Sequence, residues 1–276
     1  MKRTAGIPRF NDRDLLFCFV SALAVFVCWG RLSFFTQGQP LVYLLQSREG
    51  VGIGEVIAFV ALFNLASQLP NSEVLKPSQH LALTIASLAF LVPSFAALLI
   101  PVAVATTVLL KTPNPILRSM GQIFLAMLFF EAIGQVIFIA IAPYVLNLET
   151  LAVQEVMSWF WQITRNGPAI EVVGGQNIYL GVGCSAFHNL SLAALLWISL
   201  RKIESTRPFL VADWLILLAM ALVTIILNTV RIAYMAHSKV DFDYWHDGNG
   251  SNHIAFVMLA AMLGTFLIGR MIAAPK

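Results

Sequence analysis

The sequence predicts an all-α fold, a polytopic transmembrane helical bundle of about eight spans with an outer-face interfacial segment. Three observations carry that reading. Hydrophobic residues make up 59% of the chain and charged residues 11%, against about half and about a quarter in ordinary soluble domains. The mean hydropathy of +0.81 is spread along nearly the whole chain, so the apolar excess belongs to repeated membrane spans and not to one buried core. Basic residues gather between the apolar runs, as they do in cytoplasmic loops.

The elements follow in order. Run 14–31 comes after Met1-Lys2-Arg3, Arg9 and Arg13, a start like the basic region of a signal peptide. No small-residue cleavage site follows, so it reads as a retained first helix. Cys18 and Cys28 lie inside it as ordinary apolar-site thiols. Run 51–69 is a second span. Run 80–110 is too long for one untilted span and carries Pro93-Ser94 near its middle, so it is either one kinked helix or a tight pair of short ones. With the pair, the basic clusters at Lys2 to Arg13, Lys76, Lys111 with Arg118, Arg201-Lys202 with Arg207, and Arg270 with Lys276 all fall on one side. That choice gives eight helices with both termini inside, with Arg31, Arg48, Arg165 and Lys239 as exceptions. With one kinked span the clusters split between the two sides.

Run 117–147 is the next span and contains Glu131 and Gln135, which either line a pathway or pair between helices. Residues 148–183 mix Glu149, Glu155, Gln162, Arg165, Asn166 and Glu171 with Trp159, Phe160 and Trp161. This composition suits a segment lying on the outer membrane surface. Gly167-Pro168 and Gly174-Gly175 interrupt it, and a short extended stretch is expected within Ile170 to Tyr179. Runs 184–201, 210–235 and 252–272 complete the bundle. No repeat or linker is visible, so residues 1–276 read as a single integral membrane domain whose chemistry belongs to helices 184–272.

Polar groups in or at the ends of spans are costly to place and are therefore functional candidates. Gly181-Val182-Gly183-Cys184-Ser185-Ala186 puts Cys184 at or just ahead of a helix N-terminus, where amide groups and the helix dipole favour the nucleophilic thiolate. A small buried residue in a tight turn is the plain alternative. Arg231 lies inside a long apolar run and must either find an anionic or carbonyl partner or snorkel to the interface. Asn228, one turn earlier, would let the pair present several donors to a developing oxyanion. Tyr244 to His253 holds two candidate general acid–bases, His246 and His253, with Asp247 either orienting an imidazole or closing a turn. In the eight-span arrangement Cys184, Arg231 and His246 all reach the outer face.

The order Cys184-Ser185-Ala186, then Asn228 to Arg231 with Ile232, then His246-Asp247 with Gly250, each attached to a terminal apolar helix, resembles the exosortase/archaeosortase family. The match covers about 170–270. Two departures stand out: Ala186 replaces the family's usual glycine, and the last loop is longer, so that His253 is closer to the final apolar run than His246. His246 is the favoured histidine. The resemblance implies a membrane cysteine protease or transpeptidase that cleaves a C-terminal tail made of a short motif, a transmembrane helix and a basic end. Cys184 would be the nucleophile, Arg231 with Asn228 the oxyanion donors and His246 the acid–base. It further implies a protein substrate, an amine acceptor where transfer occurs, no cofactor, no metal, and a prokaryotic plasma membrane with the site facing outward.

Other classes remain in competition. A transporter would carry polar groups near mid-membrane and often an internal repeat. A non-enzymatic envelope assembly protein would tolerate replacement of Cys184. Nucleic acid is excluded as a partner, since the net charge of +3 is small and dispersed. The bilayer itself is the surrounding solvent. No His-Glu-x-x-His or Gly-x-Ser-x-Gly motif is present, and the histidines and Cys184 show no zinc spacing.

Overall fold

The computed structural model describes residues 11–35, 53–70, 74–92, 95–173, 175, 177–246 and 248–273. Expectations placed on Lys2, Arg3, Arg9, Arg48, Gly174, Asp247 and Lys276, and on the side chains of Arg31 and Gln135, lie outside the described residues. The helices are α1 (Asp12–Phe35), α2 (Ile53–Ser67), α3 (Pro77–Leu88), α4 (Phe95–Leu110), α5 (Pro115–Leu128), α6 (Gly134–Ser158), α7 (Phe187–Glu204), α8 (Val211–His237), α9 (Lys239–His246) and α10 (Asn249–Ala273). A π turn, Phe129–Ile133, joins α5 to α6. Three strands, β1 (Ile163–Asn166), β2 (Ala169–Val172) and β3 (Ile178–Tyr179), lie between α6 and α7.

The chain is a membrane protein whose described residues contain four helices long and apolar enough to cross a bilayer: Pro115–Ile133, Val136–Ser158, Val211–His237 and Asn249–Ala273. The expected count of about eight is not reached among the described residues, and for three of the expected spans the reason is length. Helices α2, α3 and α4 have 15, 12 and 16 residues, so at roughly 1.5 Å per residue they extend at most about 24 Å, short of a hydrocarbon core of about 30 Å. Run 117–147 also differs from the single span expected of it: helix continues to Ser158, and two candidate spans cover it, the first ending with the π turn that holds Glu131 and the second starting at Val136. The fold is mostly helical but not all-α, because the 148–183 segment divides into the last turns of α6 and a three-stranded antiparallel sheet of order β1-β2-β3.

Two compact units divide the described residues. In the first, Met1–Leu128 with Ile198–Arg207, Phe19 is fully buried and meets Phe90 and Phe124 edge-on, with centroids 5.4 and 5.7 Å apart. The buried Asp12 carboxylate accepts the amides of Val74 and Leu75 at 2.5 and 2.7 Å, tying the start of α1 to the approach to α3. Run 80–110 forms two helices. Val92 is extended, with φ −104° and ψ 116°, as the residue before a proline is driven to be. Helices α4 and α5 approach closely at Gly121, where a Cβ would stand 2.8 Å from the Leu110 backbone nitrogen.

The second unit, Phe129–Trp197 with Pro208–Lys276, holds all the candidate site residues. Helix α8 packs against α6, α9 and α10. The apolar core at its C-terminal end joins Val153 and Met157 of α6, Ile170 and Val172 of β2, Ile178 and Leu180, and Ile232, Ala233 and Ala236 of α8. The sheet is therefore seated on these two helices by one face. Strands β1 and β2 turn through Gly167-Pro168, where Gly167 has φ +58°, the positive value a tight hairpin requires at that position. Near its other end α8 is tied to α10 by Arg270 Nη1, 3.2 Å from the buried Asp213 carboxylate. Away from these contacts, Leu215, Leu218, Leu222 and Ile226 of α8 and Phe256, Leu267 and Met271 of α10 are exposed. An apolar surface of that kind suits lipid and not water.

Candidate active site

The Cys184 segment is built by the change from sheet to helix. After β3 the chain makes a 3-10 turn, Val182–Cys184, in which the Cys184 amide donates to the Gly181 carbonyl at 3.0 Å. It then runs extended through Ser185, with φ −66° and ψ 145°, and enters α7 at Phe187. Cys184 thus lies just ahead of the helix and not in its first turn, and it is half-buried. The Ser185 hydroxyl accepts the Phe187 amide at 3.2 Å, a cap on α7. Phe187 stacks on Phe138 of α6 with centroids 4.6 Å apart and planes 13° from parallel, which fixes the entry of α7 against α6.

Helix α8 supplies two polar side chains three residues apart and hence on one face. Asn228 is only 2% exposed, and its Nδ2 donates to the Cys184 carbonyl at 2.9 Å. Its Oδ1 is buried and has no hydrogen-bond partner among the described residues. Arg231 donates from both Nε and Nη2 to the Trp245 carbonyl, at 3.2 and 3.0 Å. The guanidinium therefore meets the need for a partner through a backbone carbonyl, using part of its planar fork. At about 1.5 Å per residue it lies about 9 Å inside the helix end at His237.

Trp245 is next in sequence to His246, and α9 is what carries them to Arg231. Ser238 caps α9: its hydroxyl accepts the Asp241 amide at 3.1 Å and donates to the Asp241 carboxylate at 2.6 Å. His237 Nδ1 lies 2.6 Å from the same carboxylate oxygen. The Ser238 hydroxyl, then His237, hold the Asp241 carboxyl below its ordinary value. His246 ends α9, half-buried, with its ring stacked on Phe242 at 4.9 Å and 10°. His253 is placed differently. It is exposed in the second turn of α10, and its Nδ1 bonds the Tyr244 hydroxyl at 3.0 Å.

The structure thus brings Cys184, Asn228, Arg231 and the Trp245-His246 pair together around the C-terminal third of α8. His253 stands apart from that set through its bond to Tyr244, and Asp247 is outside the described residues. Sequence reasoning missed Glu149 as a site residue. Half-buried on α6, it accepts the Ser185 hydroxyl at 2.7 Å and the Ala186 amide at 2.9 Å, both on Oε1. Its signal in the sequence is an acidic residue within a helix of high hydropathy, and its place in the polar segment that begins at residue 148 suits a surface position equally well. A comparison with protein-family models, with curated proteins and with solved structures finds no match for this chain.

Proposed function

We propose that the chain is an exosortase-like membrane cysteine protease or transpeptidase. It would be a multi-pass protein of a prokaryotic plasma membrane, act on the outer side, and cleave the C-terminal sorting tail of exported proteins. The observation that carries the reading is the double reach of α8, with Asn228 on the Cys184 carbonyl and Arg231 on the carbonyl next to His246. Both contacts are to the backbone, and they tether the segments that carry Cys184 and His246 to the helix that carries the cationic donor fork of Arg231.

The chemistry then runs in two halves. The Cys184 thiolate attacks the scissile carbonyl carbon, and the negative charge that develops on the carbonyl oxygen is met by Arg231 N–H donors. Collapse breaks the C–N bond, the departing amine takes a proton from His246, and a thioester remains on Cys184. In the second half His246 takes a proton from water or from an acceptor amine, which attacks the thioester and releases an acid or an amide with the thiol restored. The substrate is a protein tail of a short motif, a transmembrane helix and a basic end. No cofactor enters any step.

The test is Cys184→Ala in cells of the source organism, with the C-termini of envelope proteins read by mass spectrometry. Precursors that keep their hydrophobic tails should accumulate while the variant inserts at normal abundance. Unchanged tail processing would rule out nucleophilic catalysis at Cys184.

A further inference from the structure

Glu149 takes no part in those steps. It stands on α6, a different helix from those that carry Arg231 and His246, and reaches 36 and 37 positions along the chain to the two residues that follow Cys184. Both bonds converge on Oε1; Oε2 is buried and has no hydrogen-bond partner among the described residues. Leaving a buried carboxylate oxygen without a donor is costly, and an apolar side chain would fill the space without that cost. The segment Glu149 holds has few local restraints: the Cys184 amide donates to the Gly181 carbonyl and the Phe187 amide to the Ser185 hydroxyl. Between a 3-10 turn and a helix, Ser185 is extended, and the orientation of its neighbour Cys184 depends on what grips the chain on each side.

We propose that Glu149 is a positioning residue for Cys184: its carboxylate holds Ser185 and Ala186 while Asn228 holds the Cys184 carbonyl, and the two grips together aim the thiol. The assignment rests on reading Cys184 as the nucleophile. One carboxylate oxygen does the work, so an amide oxygen at the same place should do it too. Glutamine keeps the acceptor and the size, whereas alanine removes both contacts at once.

The experiment uses the full chain with Cys18 and Cys28 replaced by serine, purified in detergent, and reads the rate of Cys184 alkylation by N-ethylmaleimide. Glu149→Ala should change that rate by about tenfold, part of the roughly 10²-fold that a misplacement of about 1 Å can cost a reacting group. Glu149→Gln should stay close to the parent. Ser185→Ala removes one of the two Glu149 contacts together with the cap on Phe187, and in the double variant its effect should fall short of adding to that of Glu149→Ala, since the contact between the two side chains is lost only once. A parental rate in Glu149→Ala, a glutamine variant as altered as the alanine variant, or summed effects in the double variant would each overturn the proposal. If Glu149→Ala does not fold, Glu149→Leu, which fills the space without an acceptor, takes its place: a changed rate supports the grip and a parental rate sinks it.

This readout stands apart from the reaction. If tails are processed normally without Cys184, the protease reading fails while the alkylation series still reports on the grip. If the alkylation series is flat and Cys184→Ala abolishes processing, only the Glu149 assignment falls.

Discussion

Arg231 places two of its N–H donors on one carbonyl oxygen, a geometry that a lysine ammonium cannot copy. Arg231→Lys should therefore lower tail processing by roughly 10²-fold, the scale of losing one preorganised oxyanion donor; full activity with lysine would reduce the role to charge alone. His246→Ala should impair processing more than His253→Ala, because the Arg231 contact falls beside His246 while His253 is engaged with Tyr244. The opposite order would reassign the acid–base. Residues of this kind stand out in the sequence because an arginine, an asparagine and a cysteine are conspicuous in or beside apolar runs. What joins them is not visible there. The bonds from Asn228 to Cys184 and from Glu149 to Ser185 span 44 and 36 positions, and composition carries no information about which polar group a buried carboxylate will meet.

At the scale of elements, α9 depends on its cap. Ser238→Ala should loosen it by about 1 kcal/mol, and chemical shifts of α9 amides or their hydrogen exchange would report the change. The cap has a defined response to pH. Asp241 is held below its ordinary value of 3.8, so its contribution is complete above that value and fades only as pH falls through the lower folded one. Protection of the α9 amides, measured against their intrinsic exchange at each pH, should hold at about pH 5 and fall only in stronger acid; a loss of protection already near neutrality would refute the assignment. Element boundaries were unevenly legible. Pro93 in run 80–110 fitted a kink as well as a break, and Pro101 and Pro143 lie inside helices, so a proline alone does not decide between them. The π turn at Phe129–Ile133 follows no proline, and the run looked continuous. Strand β1 contains Thr164, Arg165 and Asn166 and shows no apolar alternation; it is a strand because β2 pairs with it and α6 lies beneath it.

In the second unit as a whole, α8 is the common support, and its seat on α10 is set by Gly269. A Cβ there would stand 2.5 Å from Ile216 Cγ1. Gly269→Val should destabilise the chain by about 1–3 kcal/mol through overpacking, and Ile216→Ala in the same chain should recover much of the loss. Equal melting of the single and double variants in detergent would show that this contact does not set the seat. The membrane character of the chain was plain from its hydropathy, whereas the span count was not, because an apolar run gives no sign of how far its helix will extend. Helix α8 has 27 residues, about 40 Å at roughly 1.5 Å per residue, more than a hydrocarbon core of about 30 Å requires. A helix of that length can adjust its tilt to bilayers of different thickness, and Asn228 and Arg231 would then move with it as one piece. Lipid acyl-chain length thereby becomes a dial on the site: alkylation of Cys184 should vary between vesicles of short-chain and long-chain lipids, and the same protein would run at different speeds in thin and thick regions of one membrane.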